Sequence, residues 1–181
     1  IEDMLYLLAK LFAVLDEFNL KAKPSKCHFF QKTVKFLGHI ISEEGIVKDP
    51  KCVQAVMDFK TPSNKAELMA FLGTITWNMK YIPHMAHIAA PLTKHTTSKK
   101  SELKMPIPWT EEMDQAFKEL KRLVALDVRL AYPDTSAGAT PLELRVDSSK
   151  IACGCVLTQV QQGKTRVIGY YSKKYPQAMH T

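Results

Sequence analysis

Apolar and polar positions divide the chain into segments with different periods. Met4, Leu7, Leu8, Leu11, Val14, Leu15 and Phe18 recur at helical spacing and predict a helix over residues 3–18, interrupted by Pro24 and Ser25. A strand-like stretch, Lys26–Gln31, leads to a second over 34–41, whose Gly38 is the odd residue: a mid-strand glycine marks a bulge or a close backbone approach. Ser42-Glu43-Glu44-Gly45 reads as a hairpin connection into Ile46-Val47, its acid pair merely solvated. Asp49-Pro50 is a helix start, with the helix running to about Phe59. Asn64 caps a second helix, with Glu67 in capping-box register, extending from Lys65 to about Ile82.

That second helix carries two different faces. Leu68, Phe71, Leu72, Ile75, Met79 and Ile82 form a full core stripe. Opposite lie Ala66, Met69, Ala70, Gly73, Thr76, Trp77 and Lys80, small residues and a flat aromatic where a helix packed once would be plainly polar. Something broad can lie against such a face, either a second protein or a nucleic-acid groove. Pro83 ends the helix, and a short one follows over 87–92. Residues 93–108, Lys-rich with two prolines, read as a linker. Trp109-Thr110-Glu111-Glu112 opens a helix with Met113, Ala116, Phe117, Leu120 and Val124 buried, its acids suiting the positive helix end. Beyond Asp134 the period shortens: Leu142–Asp147, Ile151–Gln159 and Arg166–Ser172, with a turn at Gln161–Lys164, predict a three-stranded antiparallel meander.

Composition sharpens this only in places. The 181 residues are 46% hydrophobic and 24% charged, which are globular values. No apolar stretch approaches the ~20 residues that span a bilayer. The chain opens Ile1-Glu2-Asp3 without an initiator Met or signal peptide and reads as a piece of something longer. Net charge is +7, unevenly placed: −3 over residues 1–20, +8 over 21–105, all of its basic residues Lys, and +2 over 106–181. The surplus suits a polyanion or a solvated lysine-rich surface, and Lys80 on the outer helix face favours the groove. Cys27, Cys52, Cys153 and Cys155 have no zinc spacing and read as free thiols of an intracellular protein. His84, His87 and His95 lack ligand partners at suitable spacing and read as surface or packing histidines. Asp147, at a strand end beside Ser148-Ser149, could hold a divalent ion but has no second acid near it in sequence.

Taken in order, the segments resemble the reverse transcriptase region of gypsy-type LTR retrotransposons over nearly the whole chain. Leu20–Cys27 is similar to "LKLNPSKC"; Phe36–Ser42 with Gly45-Ile46 and Asp49-Pro50 to "FLGHxVSxxGIxxDP"; Glu67–Gly73 to "ELRSFLG"; Ile88–Leu92 to "IAxPL". Trp109-Thr110, Ala116–Lys121 and Val146–Ser149 with Gly154–Gln159 resemble "WT", "AFxxLK" and "TDAS…GAVLxQ".

The resemblance implies an α+β chain: a C-terminal palm helix and primer-grip-like β-hairpin (1–48), a helical thumb (49–93), a linker (94–108), and a connection helix with the first part of an RNase H-like antiparallel sheet (109–181). It places Leu37, Gly38 and His39 at a primer's 3′ end, Gly73 and Trp77 on the hybrid's minor groove, and Asp147 among the RNase H metal-binding carboxylates; Met69 and Lys80, on the same outer helix face as Gly73 and Trp77, join them as expected nucleic-acid contacts. The polymerase Tyr-x-Asp-Asp is absent, and the RNase H glutamate, expected after Ser172-Lys173-Lys174-Tyr175, is not reached. Trp77–Ile82 departs from the family's "YYRRFI", and Val146–Ser149 from its "TDAS". The expectation is therefore a fragment that grips an RNA–DNA hybrid or DNA duplex, intracellular, partnered by the rest of a Pol polyprotein and not by a membrane. Mg²⁺ belongs to the full-length family enzyme, with none held tightly here unless outside carboxylates join Asp147. A domesticated protein-interaction module and a nuclease completed by a partner chain are the competing readings.

Overall fold

The computed structural model describes residues 2–96 and 99–175. Residues 97–98 of the expected linker and 176–181 of the expected RNase H-like part lie outside the described residues. The chain divides after Lys32 into two units.

The first unit holds helix α1 (Glu2–Glu17), with Glu2 and Asp3 in its first turn, where the helix dipole favours acids. The apolar residues at helical spacing make a helix as expected, yet none of α1 is buried. Pro24–Lys26 forms a single 3-10 turn. The strand expected over Lys26–Gln31 does not form, because the chain turns there and again at Phe30, whose φ is 57°. Phe29 instead packs edge-on against Phe12 at 6.4 Å.

The second unit opens with an antiparallel meander of β1 (Thr33–Phe36), β2 (His39–Ser42) and β3 (Gly45–Lys48). The single strand expected over 34–41 is in fact two, folded at Leu37-Gly38, with Phe36 paired to His39. Apolar alternation runs straight across the fold because the hairpin tip itself is apolar and offers no polar break. Asp49 caps α2 (Pro50–Met57), accepting from the Lys51 N–H at 3.0 Å. Asn64 caps α3 (Lys65–Trp77) from the Glu67 N–H at 3.0 Å, while the Glu67 carboxylate accepts from the Ser63 N–H at 2.8 Å. The helix expected to reach Ile82 stops at Trp77, and Met79–Tyr81 continues as a 3-10 turn. The short helix expected over 87–92 is split into α4 (Met85–Ile88) and α5 (Ala90–Thr93) at Ala89-Ala90.

Part of the stretch read as a linker folds back on α3. The Lys65 and Ala66 N–H groups donate to the Met105 and Leu103 carbonyls at 3.2 and 2.9 Å, and Lys65 pairs with Glu102 at 2.7 Å. Free N–H groups of a helix start thereby gain partners. α6 (Glu111–Ala125), capped by Thr110, lays Met113, Ala116, Phe117, Leu120 and Val124 into one core with Leu68, Phe71, Leu72 and Ile75 of α3. A second antiparallel meander follows, β4 (Leu142–Ser148), β5 (Ala152–Gln161) and β6 (Lys164–Lys174), in the expected order. The connector from α6 bonds to both sheets: Leu130 exchanges two backbone bonds with Ile46, and the Ala131 N–H donates to Val167. The buried Gln159 amide holds the loop before β4 by bonding Asp134 and Thr140 backbone groups. α4 lies against β5 and β6, with the Ala86 N–H donating to Ser172 Oγ at 2.8 Å.

Candidate nucleic-acid interface

The two sets of residues singled out on the hairpin and the outer helix face meet. Leu37 and Gly38 both have positive φ, 47° and 76°, as a two-residue type I′ hairpin loop requires. A Cβ at Gly38 would stand 3.0 Å from Cys52 Sγ and 3.4 Å from Trp77 Nε1, so the glycine lets the end of α3 close over the turn. His39 follows, buried to 9% exposure, with its ring parallel to the Trp77 indole at 6.1 Å between centroids. Trp77 itself remains 54% exposed and Leu37 61%. One and two turns back on α3 lie Gly73, with no atom within 4 Å of where a Cβ would sit, and Met69, also exposed. The result is an open strip running from Met69 through Gly73 to Trp77 and the hairpin tip.

Behind this strip the charge is positive. The buried Tyr81 ring has two ammonium groups near it, Lys48 Nζ at 4.9 Å and Lys80 Nζ at 5.4 Å from its centroid. Burial pushes the Tyr81 phenol up to about 12, so it stays neutral and shares a 3.1 Å hydrogen bond with His39 Nδ1. Burial also lowers the pKa of Lys80. His39 lies below its ordinary value, first because it is buried and second because Lys80 is near. Lys48, lowered by burial and partly restored by Asp127, donates to the Leu126 carbonyl at 2.7 Å. Lys35 reaches Asp49 at 3.4 Å. An uncharged imidazole next to an exposed indole and a partly buried lysine offers an aromatic surface with a cation beside it, which suits a sugar–phosphate strand.

Asp147 lies elsewhere, on the β4–β5–β6 sheet. Its carboxylate is 79% exposed, and its ion-pair contact is His84 Nδ1 at 4.0 Å. His84 adopts φ 51° and rests on Gly154, where a Cβ would come within 3.3 Å of its ring. Glu143, on the same face of β4, is held by both arms of Arg145 at 3.1 and 3.0 Å. Two-metal chemistry needs several converging carboxylates. Among the described residues no group of three His, Cys, Asp or Glu side chains is placed to hold a metal ion. Glu43 and Glu44 sit in the turn, but Glu44, expected to be merely solvated, pairs with Arg129 at 2.7 Å; all four cysteines are free.

Sequence reasoning missed Tyr81 and Cys52. On a helix continued to Ile82, Tyr81 falls away from the core stripe; the 3-10 turn after Trp77 rotates it inward. Asn78, whose N–H bonds back to Ile75, was the signal for that break.

Residues 109–181 match the model of the RNase H-like domain found in reverse transcriptase. Over 172 residues the chain is 35% identical to the retrovirus-related Pol polyprotein from transposon opus of Drosophila melanogaster, matching 92% of this chain and 17% of the relative. The Pol polyprotein from transposon gypsy of the same species is 32% identical over 78% of this chain and 14% of its own length. Residues 109–181 thus belong to the RNase H-like domain of reverse transcriptase, and over most of its length the chain is similar to a stretch of LTR-transposon Pol polyproteins. The chain spans less than a fifth of the curated relatives it matches. Its fold matches part of foamy viral protease–reverse transcriptase. The form in complex with double-stranded DNA superposes with TM-score 0.74 at 20% identity, covering 97% of this chain and 30% of the other. The form in complex with an RNA/DNA hybrid gives 0.72 at 19%, covering 99% and 24%. No helix among the described residues is long and apolar enough to cross a membrane.

Proposed function

We propose that this reverse-transcriptase segment grips primer–template, as RNA–DNA hybrid or DNA duplex, without complete catalytic sites of its own. The supporting observation is the meeting of Trp77, exposed and stacked on His39, with the Leu37-Gly38 turn and the open backbone at Gly73. Leu37 and Gly38 serve as the primer-side contact; Met69, Gly73 and Trp77 track the minor groove; Lys80 takes a phosphate. In this reading residues 1–48 are the palm helix and primer grip, 49–93 the thumb and 109–181 the RNase H-like part, with 94–108 between. Foamy viral relatives of the same fold hold double-stranded DNA or RNA/DNA hybrid. Asp147 contributes to RNase H chemistry only where further carboxylates reach it.

Such a grip is mainly a matter of phosphate neutralisation. With about four phosphates engaged, log K for a fluorescent RNA–DNA hybrid falls against log salt with a slope of about −3 to −4. An affinity indifferent to salt, or capture of a protein that survives nuclease, refutes the grip and favours the interaction-module reading.

A further inference from the structure

We propose that His39 is a positioning residue that fixes the angle of Trp77 toward the duplex and so joins the β1–β2 hairpin to the end of α3. The inference deepens the grip reading and rests on it. His39 is itself too buried to be a main contact, at 9% exposure, whereas the indole it faces is more than half exposed. Their planes are parallel to within 1° at 6.1 Å, an offset stack. The imidazole is held from behind by the Tyr81 hydroxyl at 3.1 Å and lies tilted on the Tyr81 ring at 5.7 Å. Gly38 supplies the space, because any larger residue would meet Trp77 Nε1 and Cys52 Sγ. Trp77 ends α3, and Gly38 and His39 of the hairpin lie against its indole, which makes orientation of the helix-borne contact depend on the seating of the turn. The charged and titratable groups facing this stack are Lys80, Lys48 and the Tyr81 phenol.

The test uses the 181-residue chain with Trp109→Phe, leaving Trp77 as the one indole. His39→Leu removes the stack, His39→Phe restores a flat ring, and Tyr81→Phe removes a single oxygen. The first and third are expected to lower Trp77 emission anisotropy and raise its quenching by acrylamide; His39→Phe keeps both near the parent values. Hybrid affinity falls about fivefold in His39→Leu, recovers in His39→Phe, and falls no further when His39→Leu is added to Trp77→Ala. Should His39→Leu fail to fold, Tyr81→Phe carries the same comparisons. Equal losses with and without Trp77 make His39 a direct contact and overturn the positioning role, as does unchanged emission. Unaltered affinity in Trp77→Ala overturns the grip itself, and the proposed use of the stack with it.

Discussion

Adjacent residues of the β1–β2 turn are expected to respond to substitution in opposite directions. Leu37 and Gly38 both hold left-handed φ, 47° and 76°. That conformation costs an ordinary L-residue roughly 1–2 kcal/mol and costs glycine and asparagine little. Leu37 recovers little by packing, since its side chain is 61% exposed. Leu37→Asn creates Asn-Gly, the preferred pair for this turn, and should stabilise the chain by about 1 kcal/mol. Gly38→Ala incurs the left-handed penalty and also places a methyl 3.0 Å from Cys52 Sγ. Adding about 1 kcal/mol for that crowding gives a loss of about 2–3 kcal/mol. With a urea m-value of about 2 kcal/mol/M, the midpoints move by about +0.5 M and −1 to −1.5 M, read by far-UV circular dichroism in reducing buffer. Leu37→Asn should nonetheless weaken binding to the hybrid, because a residue kept at a conformational cost on an exposed tip is retained for contact. A lower midpoint for Leu37→Asn, or unchanged affinity, would refute this reasoning.

Gly73→Ala should raise stability by about 0.5–1 kcal/mol, as an open helical position allows, while Gly73→Leu keeps the fold and weakens hybrid binding in a filter titration. Asn64→Ala removes the α3 cap and should cost about 1 kcal/mol in urea unfolding. His39 titrates lower in the folded chain than its usual 6.5. In the window just below pH 6.5 the unfolded chain therefore binds a proton that the folded chain does not, so stability falls on acidification. His39→Phe should remove that part of the pH dependence.

The helices were legible because their signals are local. Asp49-Pro50, Asn64 with Glu67, and Thr110 cap where their residue types predict, and the apolar stripes of α3 and α6 bury together. The second meander was legible from its alternation and from Gln162-Gly163 at its turn. The first hairpin was not, since Phe36 and Leu37 at its tip continue an apolar run that polar turn residues would have broken. The open helix face could be read from Gly73 and Trp77, because small residues opposite a complete core stripe need a reason. What no spacing carried was the contact across sequence: the His39–Trp77 stack joins positions 38 residues apart, and Tyr81 turns inward only where the helix changes pitch. Asp147's neighbour His84 was equally hidden, being set by a left-handed residue and by Gly154 on another strand.

The most direct measurement is the affinity of Trp77→Ala for a fluorescein-labelled RNA–DNA hybrid, taken with its urea midpoint. An exposed indole that serves as the central contact should lose about tenfold in affinity while the midpoint stays within about 0.5 kcal/mol of the parent. Parental affinity, or a chain that unfolds on losing this side chain, would contradict a groove built on Trp77.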